Sequence, residues 1–292
     1  PFHRWLPAAM VAPTPVSALL HAVAVVKAGV FTILKVAVYV FGIDLLRDTG
    51  ASVWLMYVAG GTVLTASLVA MTKDNLKARL AYSTVSQLSY IVLGAALATP
   101  ASVLGGGMHI VMHAFGKITL FFCAGAINVA LHKTEISDMR GIGRQMPFTM
   151  FAFVIGALSV IGVPPMGGSW SKWYLALGAA DGDNAIFIAV LMISSLLSIA
   201  YLMPVVGRAF LFPAKPAAHD HGHGHGHDDH GHAPASGRLA KIFPKFHEAP
   251  VLCVAPLCAT AIGCIFLFVF AEDVYNLLLP ITQEPPTITV ER

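Results

Sequence analysis

The sequence predicts an all-α integral membrane protein of about seven transmembrane helices, one of them broken mid-membrane. Three observations carry that expectation. Of 292 residues, 57% are hydrophobic and 11% charged, with a mean hydropathy of +0.74, where a soluble domain carries about 25% charged residues. Apolar runs long enough to cross a bilayer as helices alternate with short polar loops. One such run is interrupted by Pro164-Pro165-Met166-Gly167-Gly168. The net charge of +3 is small, and no nucleic-acid partner is expected.

The chain opens on a segment punctuated by Pro1, Pro7, Pro13 and Pro15, with Trp5 as an interfacial anchor. With the first span, Val16 to Phe41, this makes a first unit over residues 1–50. No initiator methionine or signal peptide is visible, so the chain reads as a piece of a longer protein. Asp44, Arg47, Asp48 and Gly50 form a short loop, and the second span runs from Ala51 to Met71. Lys73, Asp74, Lys77 and Arg79 lead into a third span that ends near Ala98, where Thr99-Pro100 turns the chain.

The fourth span lies within the apolar run Val103 to Leu131, and it carries His109, His113 and Lys117 at i, i+4 and i+8. On a helix these share one face, about 6 Å apart per step. Lys117 stands about 21 Å along the axis from Val103, near mid-membrane. A lysine there costs roughly 2.5–3.5 kcal/mol on insertion scales, so this face reads as a hydrophilic path. A polar loop, His132 to Gln145, follows.

The fifth span starts at Pro147 and breaks at residues 164–168. Proline removes a helix donor and glycine adds freedom. A broken helix at membrane depth is tolerated where it lines a cavity or packs on protein. In transporters it marks an ion site, and a passive proline kink is the alternative. Lys172, just past the break in Trp170-Ser171-Lys172-Trp173, favours function. The sixth span, Ala185 to Phe210, closes a unit over residues 51–212. A hydrophilic loop fills 213–248, the seventh span 249–272, and a polar tail 273–292.

If the first span starts on side X, twelve of the eighteen Lys and Arg fall on X and two, Arg47 and Arg292, on the other side. The rule that cytoplasmic loops carry the positive charge makes X cytoplasmic and the C-terminus external. The remaining four, Lys27, Lys35, Lys117 and Lys172, lie within spans. Lys35, near a span end, reads as snorkelling. All fifteen Asp and Glu fall in loops, ends or tails, so the membrane part holds lysines and histidines without a carboxylate of its own. Lysines that take up and release protons, with histidines and waters between them, make a relay. Static pairing with carboxylates of partner helices is the alternative. His21, six residues before Lys27, lies on a helix face about 120° away, close enough to line one cavity but not to pair. The hydroxyl-rich run Asn75 to Tyr90 either supports waters at a cytoplasmic opening or makes interhelical hydrogen bonds.

Metal chemistry finds weak footing. His109 and His113 can both reach one ion, but no third ligand is near and Lys117 would repel it. Cys123, Cys253, Cys258 and Cys264 fall in apolar runs without metal-ligand spacing and read as core residues. The loop carries His219, His221, His223, His225, His227, His230 and His232 among glycine and aspartate. It lacks core-forming residues and reads as a disordered linker or a weak metal chelator.

Several runs together resemble one family. They are Pro1-Phe2-His3-Arg4-Trp5-Leu6-Pro7, Ala12 to Ala22, Leu80 to Gln87, His113-Ala114-Phe115-Gly116-Lys117, and Gly168-Ser169-Trp170-Ser171-Lys172-Trp173. In this order they look like the antiporter-like subunits shared by respiratory complex I, Mrp-type sodium/proton antiporters and membrane-bound hydrogenases. The resemblance implies a fold of about fourteen helices with two five-helix inverted repeats, of which this chain carries the C-terminal half: the second repeat over residues 51–212 with flanking helices. It implies a proton path through Lys27 and His21, Lys117 with His109 and His113, and Lys172. The family's first-half glutamate and lysine have no counterpart here.

The expected function is a proton-translocating membrane subunit of a multisubunit cation/proton antiporter in a prokaryotic plasma membrane, with the Mrp-type sodium/proton antiporter slightly favoured. Its partners would be the bilayer, other membrane subunits, protons and, as the exchanged cation, Na+. The alternatives are a proton-pumping subunit of complex I or of a membrane-bound hydrogenase, and a structural subunit without conduction. No nucleotide, flavin, haem or quinone motif appears, so no cofactor and no redox site are expected in this chain, and an enzyme role arises only through the complex I alternative.

Overall fold

The computed structural model describes residues 5–213 and 247–282, apart from the side chains of residues 20–23. Among the described residues all regular structure is helical, and the single β feature is an isolated bridge between Asn75 and Glu135. The chain is an α-helical integral membrane protein. Five helices are long and apolar enough to span: α3 (Val53–Thr72), α4 (Leu76–Leu97), α5 (Pro100–Leu131), α8 (Ala185–Leu211) and α9 (Val251–Val269). Around them lie α1 (Val25–Lys35), α2 (Ile43–Thr49), α6 (Pro147–Ile161), α7 (Gly168–Asp181) and α10 (Ala271–Leu278). The histidine-rich loop and residues 1–4 and 283–292 lie outside the described residues.

The first span differs from the simple helix expected over Val16 to Phe41. Here α1 sits between two π-helical segments, Ser17–Ala24 and Val36–Phe41. Gly42 (φ +85°) then turns the chain by 82° into α2. A side chain at that φ would be strained, which is why a glycine ends the span. The 120° separation expected between His21 and Lys27 holds for α geometry; a π-helical segment bonds i to i+5, so that angle does not apply. At the far end, residues 273–282, expected as polar tail, continue as α10 and the turn Leu279–Thr282.

Local chemistry sets the helix boundaries. The Asn75 side chain accepts from Ala78 N and starts α4. Thr99 and Ser102 form a capping box, with Pro100 in the first turn of α5. Pro147 opens α6, whose amides are capped from far along the chain: Glu248 accepts hydrogen bonds from Phe148 N and Thr149 N. Gly162, at φ +88°, closes α6 before the Pro164-Pro165 break.

The most enclosed span is α4, 83% buried over its apolar window, against 28% for α9. So α4 and α5 form the interior, and α9 is the least enclosed of the five. Where α4, α5 and α7 cross, glycines bring the backbones together: a Cβ on Gly105 would meet Leu175 N at 2.6 Å. A second crossing, Gly116 on α5 against Gly156 on α6, lies beside Lys117.

Candidate functional site

The face of α5 expected to be hydrophilic is wholly enclosed. His109 and His113 are 2% exposed and Lys117 is 0%. The imidazoles stack with centroids 5.6 Å apart at 23°. The i, i+4 spacing therefore does what a helix dictates, placing one ring above the other.

Each group has a partner on a different helix. Lys117 Nζ donates to Ser83 Oγ of α4 at 2.7 Å and to Leu80 O at 3.2 Å. Lys27 of α1 is hydrogen-bonded through Nζ to His113 Nδ1. His109 Nδ1 pairs with Ser171 Oγ of α7 at 2.9 Å, and the Tyr90 ring stacks on its imidazole at 5.4 Å. Lys172 Nζ lies 5.1 Å from the centroid of that Tyr90 ring. Lys117, His113 with Lys27, His109, and Ser171 with Lys172 thus follow one another in a row through the interior.

The broken helix explains the position of Lys172. Helix ends leave carbonyls without intrahelical partners. Lys172 Nζ reaches back across the break to donate to Ile161 O at 2.8 Å, and to Ser195 Oγ of α8 at 3.1 Å. Its stem lies against Gly162, where an added Cβ would meet Lys172 Cδ at 2.8 Å. That glycine supplies both the left-handed turn and the room for the lysine.

Among the described residues no carboxylate forms an ion pair with these amines. Ion pairs among the described residues include Arg47–Asp44 and Arg208–Asp74, both peripheral. The lysines are held by hydroxyls, backbone carbonyls and an imidazole. Among the described residues, four buried side-chain atoms lack a hydrogen-bond partner: His109 Nε2, His113 Nε2, and Gln87 Oε1 and Nε2. Such atoms inside a membrane protein mark places where a mobile hydrogen-bonding partner fits. A row of amines, imidazoles and hydroxyls is suited to passing protons.

Five of the six residues singled out from sequence, Lys27, His109, His113, Lys117 and Lys172, come together here. The His21 side chain and the seven loop histidines lie outside the described residues. No group of three metal-ligating side chains occurs among the described residues. Lys35 stands apart, exposed over the Phe31 and Tyr39 rings at 5.7 and 5.9 Å. Sequence reasoning missed Ser171, Ser195 and Tyr201. The signal was available: Ser194, Ser195, Ser198 and Tyr201 recur at three- and four-residue steps in an otherwise apolar span.

Comparison with known proteins places this geometry. Residues 1–198 match the family described as NADH:quinone oxidoreductase/Mrp antiporter, TM. The NADH-quinone oxidoreductase subunit N of Desulforudis audaxviator (strain MP104C) is 33% identical over 280 residues, covering 94% of this chain and 52% of that protein. A chain of the Mrp complex from Dietzia sp. DQ12-45-1b superposes with a TM-score of 0.80 at 23% identity, over 95% of this chain and 55% of that one. A chain of respiratory complex I from Thermus thermophilus with bound NADH gives 0.75 at 20% identity, over 97% and 54%. The two structural matches speak to the fold, and the chain spans about half the length of each of these three relatives.

Proposed function

This chain belongs to the NADH:quinone oxidoreductase/Mrp antiporter transmembrane family, and on that premise we propose that it is the proton-translocating half of a membrane subunit in a multisubunit complex. The row Lys27–His113, Lys117, His109–Ser171 and Lys172 is its path. The observation that carries the reading is the partnering of Lys117: fully buried, mid-helix, without a carboxylate, and bonded to a serine hydroxyl. A static ion pair needs an opposite charge, and a proton carrier needs a partner that serves both protonation states. A hydroxyl, donor and acceptor at once, does so.

The five-helix repeat would occupy residues 51–212, and the excess of Lys and Arg on one side would place the histidine-rich loop in the cytoplasm and the C-terminus outside. Protons would exchange against a cation such as Na+ in an antiporter of a prokaryotic plasma membrane. A second reading, a proton-pumping subunit of a quinone-reducing complex, is favoured by the 33% identity to the Desulforudis audaxviator protein. In either assembly the chain works beside other membrane subunits and does no redox chemistry itself.

The test is proton flux in inverted membrane vesicles holding the full-length protein in its native complex. A pH-sensitive dye reports flux driven by sodium addition or by NADH, in wild type and Lys117→Ala at equal assembly. Loss of the sodium-driven signal supports the antiporter, and loss of the NADH-driven signal alone supports the quinone-reducing complex. Unchanged flux under both drivers would sink the carrier role.

A further inference from the structure

Lys117 makes a contact that the row of histidines does not use. Ser83 Oγ, which accepts from Lys117 Nζ at 2.7 Å, is hydrogen-bonded to the Tyr201 hydroxyl of α8 at 2.8 Å. That hydroxyl is bonded in turn to Ser198 Oγ at 2.9 Å. At the other end of the row, Lys172 Nζ donates to Ser195 Oγ, also of α8, at 3.1 Å. Ser194, Ser195, Ser198 and Tyr201 stand at three- and four-residue steps, hence on one side of α8. Ser194 Oγ extends the cluster to Ser67 Oγ at 3.2 Å and Ser86 Oγ at 3.4 Å. The hydroxyls leave one open step, between Ser198 and Ser195.

Gln87 lies beside the Tyr201 hydroxyl, next to the Ser198 end of that step. It lies one helical turn from Ser83 and three residues before Tyr90 on α4, is 0% exposed, and reaches towards the Tyr201 hydroxyl. Neither amide atom completes a hydrogen bond with a described residue. Serines in membrane helices often only bond their own backbone, as Ser198 does by also donating to Ser194 O. That habit does not account for a buried amide with both ends free. A donor and an acceptor offered together to neighbouring hydroxyls form a seat for a water.

We infer that a hydroxyl route through Ser83, Tyr201, Ser198 and Ser195 joins Lys117 to Lys172 in parallel with the histidines, with Tyr201 as its junction and Gln87 positioning a water that closes its gap. The inference rests on the proton-carrying roles proposed for the two lysines. For transfer from Lys172 to Lys117, the Lys172 ammonium releases a proton to Ser195, whose own proton passes to the water. The water protonates Ser198, Ser198 passes its proton to Tyr201, Tyr201 to Ser83, and Ser83 to the neutral Lys117 amine. At each oxygen one O–H bond forms as another breaks, and one proton is moved in all. The reverse order serves the opposite direction.

The experiment uses the full-length protein in its native complex, in inverted vesicles, with flux read by a pH-sensitive dye. The variants are Tyr201→Phe, which keeps the ring and removes the junction; His109→Phe, which keeps an aromatic stack and breaks the histidine route; their double; and Lys117→Ala. Each single aromatic variant is expected to keep part of the flux and the double to lose it. The fractional loss caused by Tyr201→Phe is larger in the His109→Phe background than in wild type. A purely structural role for Tyr201 gives the same factor in both backgrounds and overturns the inference. So does a double variant no worse than His109→Phe, or a single variant with no residual flux. Should Tyr201→Phe fail to assemble, Ser198→Ala cuts the same wire without touching the partner of Lys117 and is read by the same criteria. Full flux in Lys117→Ala overturns the inference together with the function it rests on. Loss in Lys117→Ala with no loss in Tyr201→Phe alone or beside His109→Phe overturns the hydroxyl route only.

Discussion

Replacing Glu248 with alanine should weaken the first half of the broken helix. Glu248 is 5% exposed and its carboxylate binds the start of α6 through three contacts. Oε1 accepts from Phe148 N at 2.7 Å and Thr149 N at 3.2 Å, and Oε2 accepts from Thr149 Oγ1 at 2.7 Å. Hydrogen bonds to a charged group contribute roughly 1.5–3 kcal/mol each, and a lost N-cap costs about 1 kcal/mol. The three share one carboxylate and do not add, so Glu248→Ala is expected to cost about 3 kcal/mol. Glu248→Gln keeps one accepting oxygen but points an amide NH2 at donors, and should cost about half as much. The assay is unfolding of the full-length protein in detergent, by heat or SDS, with helicity as the signal. A loss under about 0.5 kcal/mol, the range of an ordinary surface substitution, would refute the capping argument.

Two further substitutions test the packing that holds the site. The Arg79 guanidinium gathers the backbone carbonyls of Lys73 at 2.8 Å, Tyr201 at 2.9 Å and Met71 at 3.4 Å, so Arg79→Ala should cost about 2–4 kcal/mol in the same unfolding assay. Arg79→Lys should not restore it, because a single ammonium cannot fork to three acceptors; full rescue by lysine would refute this. Gly105→Val should destabilise by roughly 1–3 kcal/mol or block assembly, since its Cβ would fall 2.6 Å from Leu175 N, a backbone atom with no room to yield. Wild-type assembly, read by co-purification of the complex, would contradict the close crossing of α5 and α7.

The helical membrane architecture was legible because it is written in composition and run length, which need no tertiary information. The row on α5 was legible too, because i, i+4, i+8 spacing fixes a face before any neighbour is known. The first span was misjudged where backbone geometry departs from the α helix: nothing in Ser17–Ala24 advertises a π-helical segment. The helical end of the chain was hidden for another reason. Asp273 and Asn276 read as a polar tail, while Leu278 of the same stretch packs against Gly107 of α5. Partners were the least legible feature. That Lys27 would meet His113 depends on how α1 lies against α5, a distance of 86 residues along the chain.

The missing carboxylate, read from sequence as a gap to be filled by a partner, has a second physical meaning once the partners are known. A carboxylate beside a buried lysine would bind the ammonium far better than the amine and hold the proton in place. Lys117 and Lys172 instead rest on Ser83 and Ser195 and on the carbonyls of Leu80 and Ile161. A serine hydroxyl accepts from an ammonium and, by rotating, donates to an amine, so neither protonation state is left without a partner. The cost of burying the lysines is thus met by neutral dipoles that do not choose between the two states. A path built this way would stay open in both directions, and the direction of net movement would then be set by whatever drives the proposed assembly.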